Sequence, residues 1–376
     1  MQKKIIALAV AGLVSGAAFA QVAPNNVTLS GIVDMGYQYS SDSYKDGVGA
    51  QHAFNDGGQD GSRLKLDGTE DLGNGLKVGF HTDFRFAVDK RAGVTVDNQN
   101  LFLTGNFGTV TAGSFGDALD DNNGLSEAGG MGWGNGVVGQ FMGSGAMKNG
   151  VKYTSPNMSG FEFMAGVSTQ NKDAGEVEGD GNQRAIQARV TYVNGPIKAG
   201  LAARRDKVQG SNDRRTEWLG NGSYNFGPVI LGAGYVRSTY SQGGIADADA
   251  SGVAEADAVA AGFHLDPILG VVPNVVTPGF DVSMKRRTAY RLNIGAPIGA
   301  NDFVAFSYSH ATQKYFDDVS TDKLSGYGLS YNHNLSKRTN LYASYGKLRQ
   351  DSDNNVMSGV NGTYEQAFKV GLRHQF

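Results

Sequence analysis

Apolar and polar residues alternate at period two along most of the chain from residue 27 to residue 376. The final stretch shows the pattern most fully. Phe368, Val370, Leu372, His374 and Phe376 fall on one face of an extended segment, and Ala367, Lys369, Gly371, Arg373 and Gln375 fall on the other. A helix would mix these two sets; a strand separates them. An amphipathic strand that runs to the last residue suits a sheet closed on itself, because closure pairs both edges. The first strand, 27–39, carries Val27, Leu29, Val33, Met35, Tyr37 and Tyr39 on one face, with Asp34 and Gln38 opposite. Leu76, Val78, Phe80, Phe84 and Phe86 likewise oppose Lys77, His81, Asp83 and Arg85.

The alternation predicts strands over 27–39, 62–69, 76–86, 100–105, 109–115, 151–155, 161–168, 185–193, 197–205, 216–224, 229–237, 287–295, 302–310, 324–331, 339–348 and 364–376. Short turns such as Leu72-Gly73-Asn74-Gly75, with its Asn-Gly hairpin signal, join them in pairs, and longer polar loops join the pairs. Sixteen strands with short turns on one side and long loops on the other predict an all-β fold, a 16-stranded antiparallel transmembrane β-barrel. Its apolar face meets lipid and its charged face lines a lumen. Two connections are long, residues 116–149 and 238–285. A loop of that length is expected to be functional, and a water-wide barrel gives it room to fold inward.

Composition sharpens this picture in three places. The chain opens Met1-Gln2-Lys3-Lys4, continues with an apolar run over 5–14, and reaches Ala18-Phe19-Ala20, a secretory signal peptide over 1–20 that leaves the barrel over 21–376. No stretch reaches the length of a spanning helix, and mean hydropathy is negative, as an alternating barrel requires. Fifty-five Gly, 16 Tyr and 19 Phe against 8 Pro suit tight turns, strands and interfacial girdles rather than a disordered linker. With no cysteine, an exported chain has no disulfide framework, and a net charge of −3 leaves no footprint for nucleic acid.

Several segments then resemble one family. The run Ser62-Arg63-Leu64-Lys65-Leu66-Asp67-Gly68-Thr69-Glu70-Asp71-Leu72-Gly73-Asn74-Gly75 resembles the second strand and turn of Gram-negative general porins, in particular the beta-proteobacterial sixteen-stranded branch. Phe107-Gly108-Thr109-Val110-Thr111-Ala112-Gly113 resembles the strand entering their third loop, and Asn149-Gly150-Val151-Lys152-Tyr153-Thr154-Ser155-Pro156 the strand leaving it. The stretches 335–345 and 370–376 resemble the last turn and closing strand. The resemblance implies a homotrimer in the outer membrane, among lipid and lipopolysaccharide, passing small hydrophilic solutes and ions by passive diffusion. It implies a third loop, 116–149, folded inward to narrow the pore. It also implies that Phe376 is the signal read by the barrel-assembly machinery. Two positions depart from the family: Ser114 and Lys152 stand where arginine is usual.

A diffusion pore filters by electrostatics rather than bond chemistry. Asp117, Asp120, Asp121 and Glu127 on the inward loop are expected to form one pole of a transverse field. Arg63, Lys65, His81, Arg85 and Lys152 are expected to form the other, with Lys369 and Arg373 facing the lumen by the same parity. Poles of opposite sign across a narrow neck favour hydrated, dipolar solutes. Near-balanced charge predicts weak ion preference. No cofactor or metal is expected, since the six His show no tight ligand spacing. The G-x-G-x-x-G match at residues 134–139 lacks a βαβ setting, and the acidic residues 176, 178 and 180 read as a solvated loop. A substrate-selective channel on the same barrel is the alternative; an outer-membrane enzyme or adhesin would need a catalytic cluster or passenger segment that the sequence does not offer.

Overall fold

The computed structural model describes residues 26–42, 50–90, 93–127, 146–169, 184–207, 214–241, 284–316, 321–352 and 363–376. The signal peptide, most of the third loop, the second long loop, the 134–139 glycine motif and the acidic residues 176, 178 and 180 lie outside the described residues. The strands, in chain order, are β1 (Asn26–Asp42), β2 (Gln51–Asp56), β3 (Arg63–Gly73), β4 (Leu76–Arg85), β5 (Thr95–Gly105), β6 (Gly108–Gly116), β7 (Ala146–Thr154), β8 (Phe161–Ser168) and β9 (Ala185–Asn194). They continue as β10 (Ile197–Lys207), β11 (Arg214–Asn225), β12 (Ile230–Tyr240), β13 (Met284–Ile298), β14 (Asp302–Tyr315), β15 (Thr321–Asn334), β16 (Thr339–Ser352) and β17 (Thr363–Gln375). A short helix α1 (Ala118–Asn123) and a 3-10 turn (Gly124–Ser126) follow β6.

The strands close an antiparallel barrel of sixteen, with β2 and β3 pairing in succession along one edge of β1. Closure is made by β17, which pairs with β1 from Ile32↔Gln375 to Asp42↔Glu365. Phe376 completes it, exchanging two backbone hydrogen bonds of 3.1 Å with Gly31. The alternation read from the sequence maps onto the wall. Leu29, Leu201, Leu292, Phe306, Leu341, Phe368 and Leu372 stand exposed on the outer surface, while Asp34, Gln38, Arg291, Lys369 and Arg373 are buried on the inner one. Strands continue past the limits set by alternation alone, β13 spanning 284–298 rather than 287–295. Ladder hydrogen bonds persist beyond the lipid-facing band, where the apolar-out rule stops applying.

Turn chemistry sets the register. Asn74 and Gly75 both take positive φ, 52° and 78°, the backbone that a two-residue hairpin of right-handed twist demands. Aromatic pairs, Phe161–Tyr192 at 4.6 Å and Tyr224–Phe226 at 4.4 Å between ring centroids, mark the short-turn end of the outer surface.

Two features of the wall depart from the sequence reading. The inner face is not polar throughout: Ala202, Leu219, Val236, Ala289 and Ala311 form a buried apolar row, each the register partner of the next across β10 to β14. And residues 40–61, expected as one polar loop, contain β2, whose Phe54 packs edge-on to Tyr37 at 5.5 Å on the outer surface.

Candidate pore constriction

The segment that follows β6 turns into the barrel because its backbone ends are satisfied there. Asp117 caps α1, its Oδ1 accepting from the N–H groups of Leu119 and Asp120 at 2.9 and 2.8 Å. Its Oδ2 is ion-paired with Arg204 of β10. The Ala118 N–H donates to Gln187 of β9 at 2.6 Å. Ala118 and Leu119 pack into the apolar row of the inner wall, which explains why that row tolerates a lumenal position. Asn122 and Asn221 of β11 exchange bonds of 2.7 and 2.6 Å. Arg291 of β13 donates to the Asn123 carbonyl and side-chain oxygens, each at 2.9 Å, and Asn293 donates to the Ser126 carbonyl at 2.8 Å.

The wall is shaped for this contact. A Cβ at Gly200 would meet the Asn122 side chain, and one at Gly232 would meet the Ser126 carbonyl, both well inside van der Waals contact. Glycine lets the loop backbone lie directly on the strands.

Charge follows the docked segment. Asp121 reaches Lys152 of β7 and Arg189 of β9, both at 3.4 Å, and Arg189 also binds Glu162 at 2.6 Å. Lys152 lies 4.7 Å from the Phe115 ring centre. The Asp120 carboxyl opens toward the lumen, but the surrounding walls strip it of bulk water. That enclosure, then the carboxylates of Asp117, Asp121 and Asp97, push it up to about 7 against the pull of Arg85. Burial also raises Glu127, with Arg291 and Lys198 acting in opposition.

The basic residues expected near the start of the barrel share the inner face of β3 and β4. Arg63 pairs with Asp60 and lies 3.7 Å from Asp83. Arg85 binds Asp97 at 2.7 Å, His81 binds Asp67 at 2.6 Å, and Lys65 is the register partner of Asp83. Arg373 of β17 lies 3.6 Å from Asp60, and Lys369 is buried on the same strand. Asp117 is not among the groups left facing this array, since it is buried beneath its own helix. Lys152 joins the acidic side, bonded to Asp121, rather than standing opposite it. Ser114, at the position where arginine is usual, donates to the Asp97 carbonyl of β5 at 3.3 Å.

The expected set misses a second basic array, on β9 to β13. Arg204 lies 3.5 Å from Asp206, Arg215 lies 3.0 Å from Asp206 and 3.3 Å from Glu217, and Glu217 accepts from Ser238 at 2.7 Å. Parity in these strands, applied as it was to β3 and β4, points every one of these residues inward.

A closed sixteen-stranded wall with a segment folded into its lumen is a channel architecture, and comparison with known proteins decides which. The family model described as Gram-negative porin matches residues 7–354. The chain belongs to the Gram-negative porin family. An outer membrane porin protein of Bordetella pertussis is 31% identical over the whole of both chains. Outer membrane porin protein 32 of Delftia acidovorans is also 31% identical over the whole of both. Among solved structures, the anion-selective porin from Comamonas acidovorans superposes with a TM-score of 0.66 at 25% identity, covering 94% of this chain and 100% of that one. As a porin, the chain is an outer-membrane channel, and its wall residues read as lipid-facing or lumen-facing.

Proposed function

We propose that this porin passes small hydrophilic solutes and ions by passive diffusion through a neck whose two sides carry opposite charge. The observation that carries the reading is the seating of α1: it presents Asp120, and Asp121 with its partners Lys152 and Arg189, to a lumen whose wall holds Arg63 and Arg85 on β3 and β4. A charge pair in a narrow, enclosed section acts more strongly than one in bulk water, so solutes that can orient a dipole are favoured over apolar ones. Lys65, His81 and Glu127 contribute to the same field, and Lys369 and Arg373 line the wall beyond it. The molecule performs no bond chemistry. It works as a homotrimer among outer-membrane lipid and lipopolysaccharide, after cleavage behind Ala20 and recognition of Phe376 by the barrel-assembly machinery. A solved neighbour described as a trimer form, 15% identical, shares the barrel fold.

Liposome swelling with a series of neutral sugars tests this. Rates that fall smoothly with solute size, without saturation, are expected. A saturable rate for one solute would replace diffusion with substrate-selective transport.

A further inference from the structure

The barrel carries a second inward excursion, in the wall itself. Asp56 of β2 is the register partner of Met35, and Arg63 of β3 is the register partner of Ile32. β1 has two residues between these points, Val33 and Asp34, whereas the opposite side has six, residues 57–62. β2 and β3 are therefore one barrel strand interrupted by four surplus residues, and these are held in the lumen.

The seat is built. Asp34, buried on the inner face, accepts the N–H groups of Gln59 and Asp60 at 2.7 and 2.8 Å and the Tyr342 hydroxyl at 2.7 Å. Tyr342 of β16 lies across two register-aligned glycines, Gly371 of β17 and Gly36 of β1, where a Cβ would collide with its phenol. Gly58 lies on the same ring. Asn340 donates to Gln59 at 2.8 Å. The resulting ledge sits on β15, β16, β17 and β1, an arc of wall apart from the β9–β13 arc that holds α1.

We infer that residues 57–60 are a second constriction of the channel, and that Asp60 sets its charge. Asp60 binds Arg63 and lies 3.6 Å from Arg373, so its carboxylate masks two guanidinium groups on the basic side of the lumen. Its own side chain stays one-third accessible, facing passing ions, while those arginines are largely covered. The inference rests on the chain forming an open channel but not on how the third loop is charged.

Removing residues 57–60 tests the geometry. Gly61 then falls opposite Asp34 and Ser62 opposite Val33, so the inward and outward alternation on both sides of the cut is preserved. Arg373, the register partner of Asp34, is left to pair with it. In planar bilayers the wild-type channel is measured first; absence of conductance there would refute the channel itself. The deletion, scored as folded by heat-modifiable gel migration, is expected to raise single-channel conductance about 1.5-fold or more, because conductance follows the narrowest section. Asp60→Asn is expected to shift the reversal potential toward anions, and an unchanged reversal potential would overturn the role given to Asp60. A folded deletion with unchanged conductance would overturn the inference. Should the deletion not fold, Asp60→Cys decides: the chain has no other cysteine, so a charged methanethiosulfonate reagent modifies only that site. Stepwise loss of current on modification supports the ledge. Complete modification by mass with unchanged current overturns it.

Discussion

Gly232→Val places the third-loop contact under direct strain. The added Cβ falls on the Ser126 carbonyl, a backbone atom, so either β12 or the loop must move. β12 is hydrogen-bonded along its length to β11 on one side and β13 on the other, and shifting it would break both ladders. The loop end is held more lightly, by Asn293 on the Ser126 carbonyl and Arg291 on Asn123 and Ser126. A neutral hydrogen bond contributes about 1 kcal/mol net and one to a charged group about 1.5–3 kcal/mol, without full additivity. Losing this set weakens docking of residues 124–127 by about 2–3 kcal/mol, less than the cost of distorting the wall. The assay is thiol labelling at Ser126→Cys, a site fully buried in the docked loop. Adding Gly232→Val to that background is expected to raise the labelling rate about 30- to 150-fold, each 1.36 kcal/mol being tenfold. Gly220→Val is the control: Gly220 faces outward, and its Cβ would meet only the end of the Leu201 side chain at 3.2 Å. An unchanged labelling rate in folded Gly232→Val channels would show that Ser126 does not rest on Gly232.

Three further outcomes are expected. Tyr342→Phe keeps the ring on Gly36 and Gly371 but removes the bond to the buried Asp34 carboxylate, and should lower barrel stability by about 1.5–3 kcal/mol, read from the urea midpoint of unfolding in detergent. Asp117→Asn retains the helix cap and loses the charge paired with Arg204, whereas Asp117→Ala loses both; loop protection should fall in that order, the Ala variant by about 1 kcal/mol more, measured by proteolysis after the third loop. Asp120, raised to about 7, gains its charge between pH 6 and 8, so ion preference should shift toward cations as pH rises through that range and the step should vanish in Asp120→Asn. The same shift has a sign for stability: the folded state holds the proton more tightly than the unfolded chain, so loop docking is firmest below about pH 4, weakens as pH rises from there to about 7, and changes no further above it.

The barrel was legible in the sequence because each strand buries one face against lipid and turns the other to water, and that alternation is written residue by residue. Asn74-Gly75 announced its turn because two successive positive φ values leave few alternatives to Asn and Gly. What alternation could not show is where the chain leaves the wall. The surplus residues at 57–60 are Gly-Gly-Gln-Asp, which read as an ordinary polar loop; only the pairing of β2 and β3 with the same strand reveals them as an interruption. The partners of the inward loop were hidden for a similar reason. Asp117 and Arg204 are far apart in the chain, and the sequence gives no sign that one caps a helix while holding the other. Arg204, Arg215 and Arg291 obey the same parity as Arg63 and Arg85, so alternation alone marks them as inward-facing, but it does not show that they hold the third loop and its neighbours. Gly200 and Gly232 look like weak strand positions until the loop is placed on them.

Single-channel current from the purified protein in a planar bilayer under a salt gradient reads both whether the barrel is an open aqueous channel and whether charge is balanced at its neck. Ohmic steps with a small reversal potential are predicted. A large reversal potential of either sign would show that one side of the neck dominates, and no conductance from folded protein would contradict the channel itself.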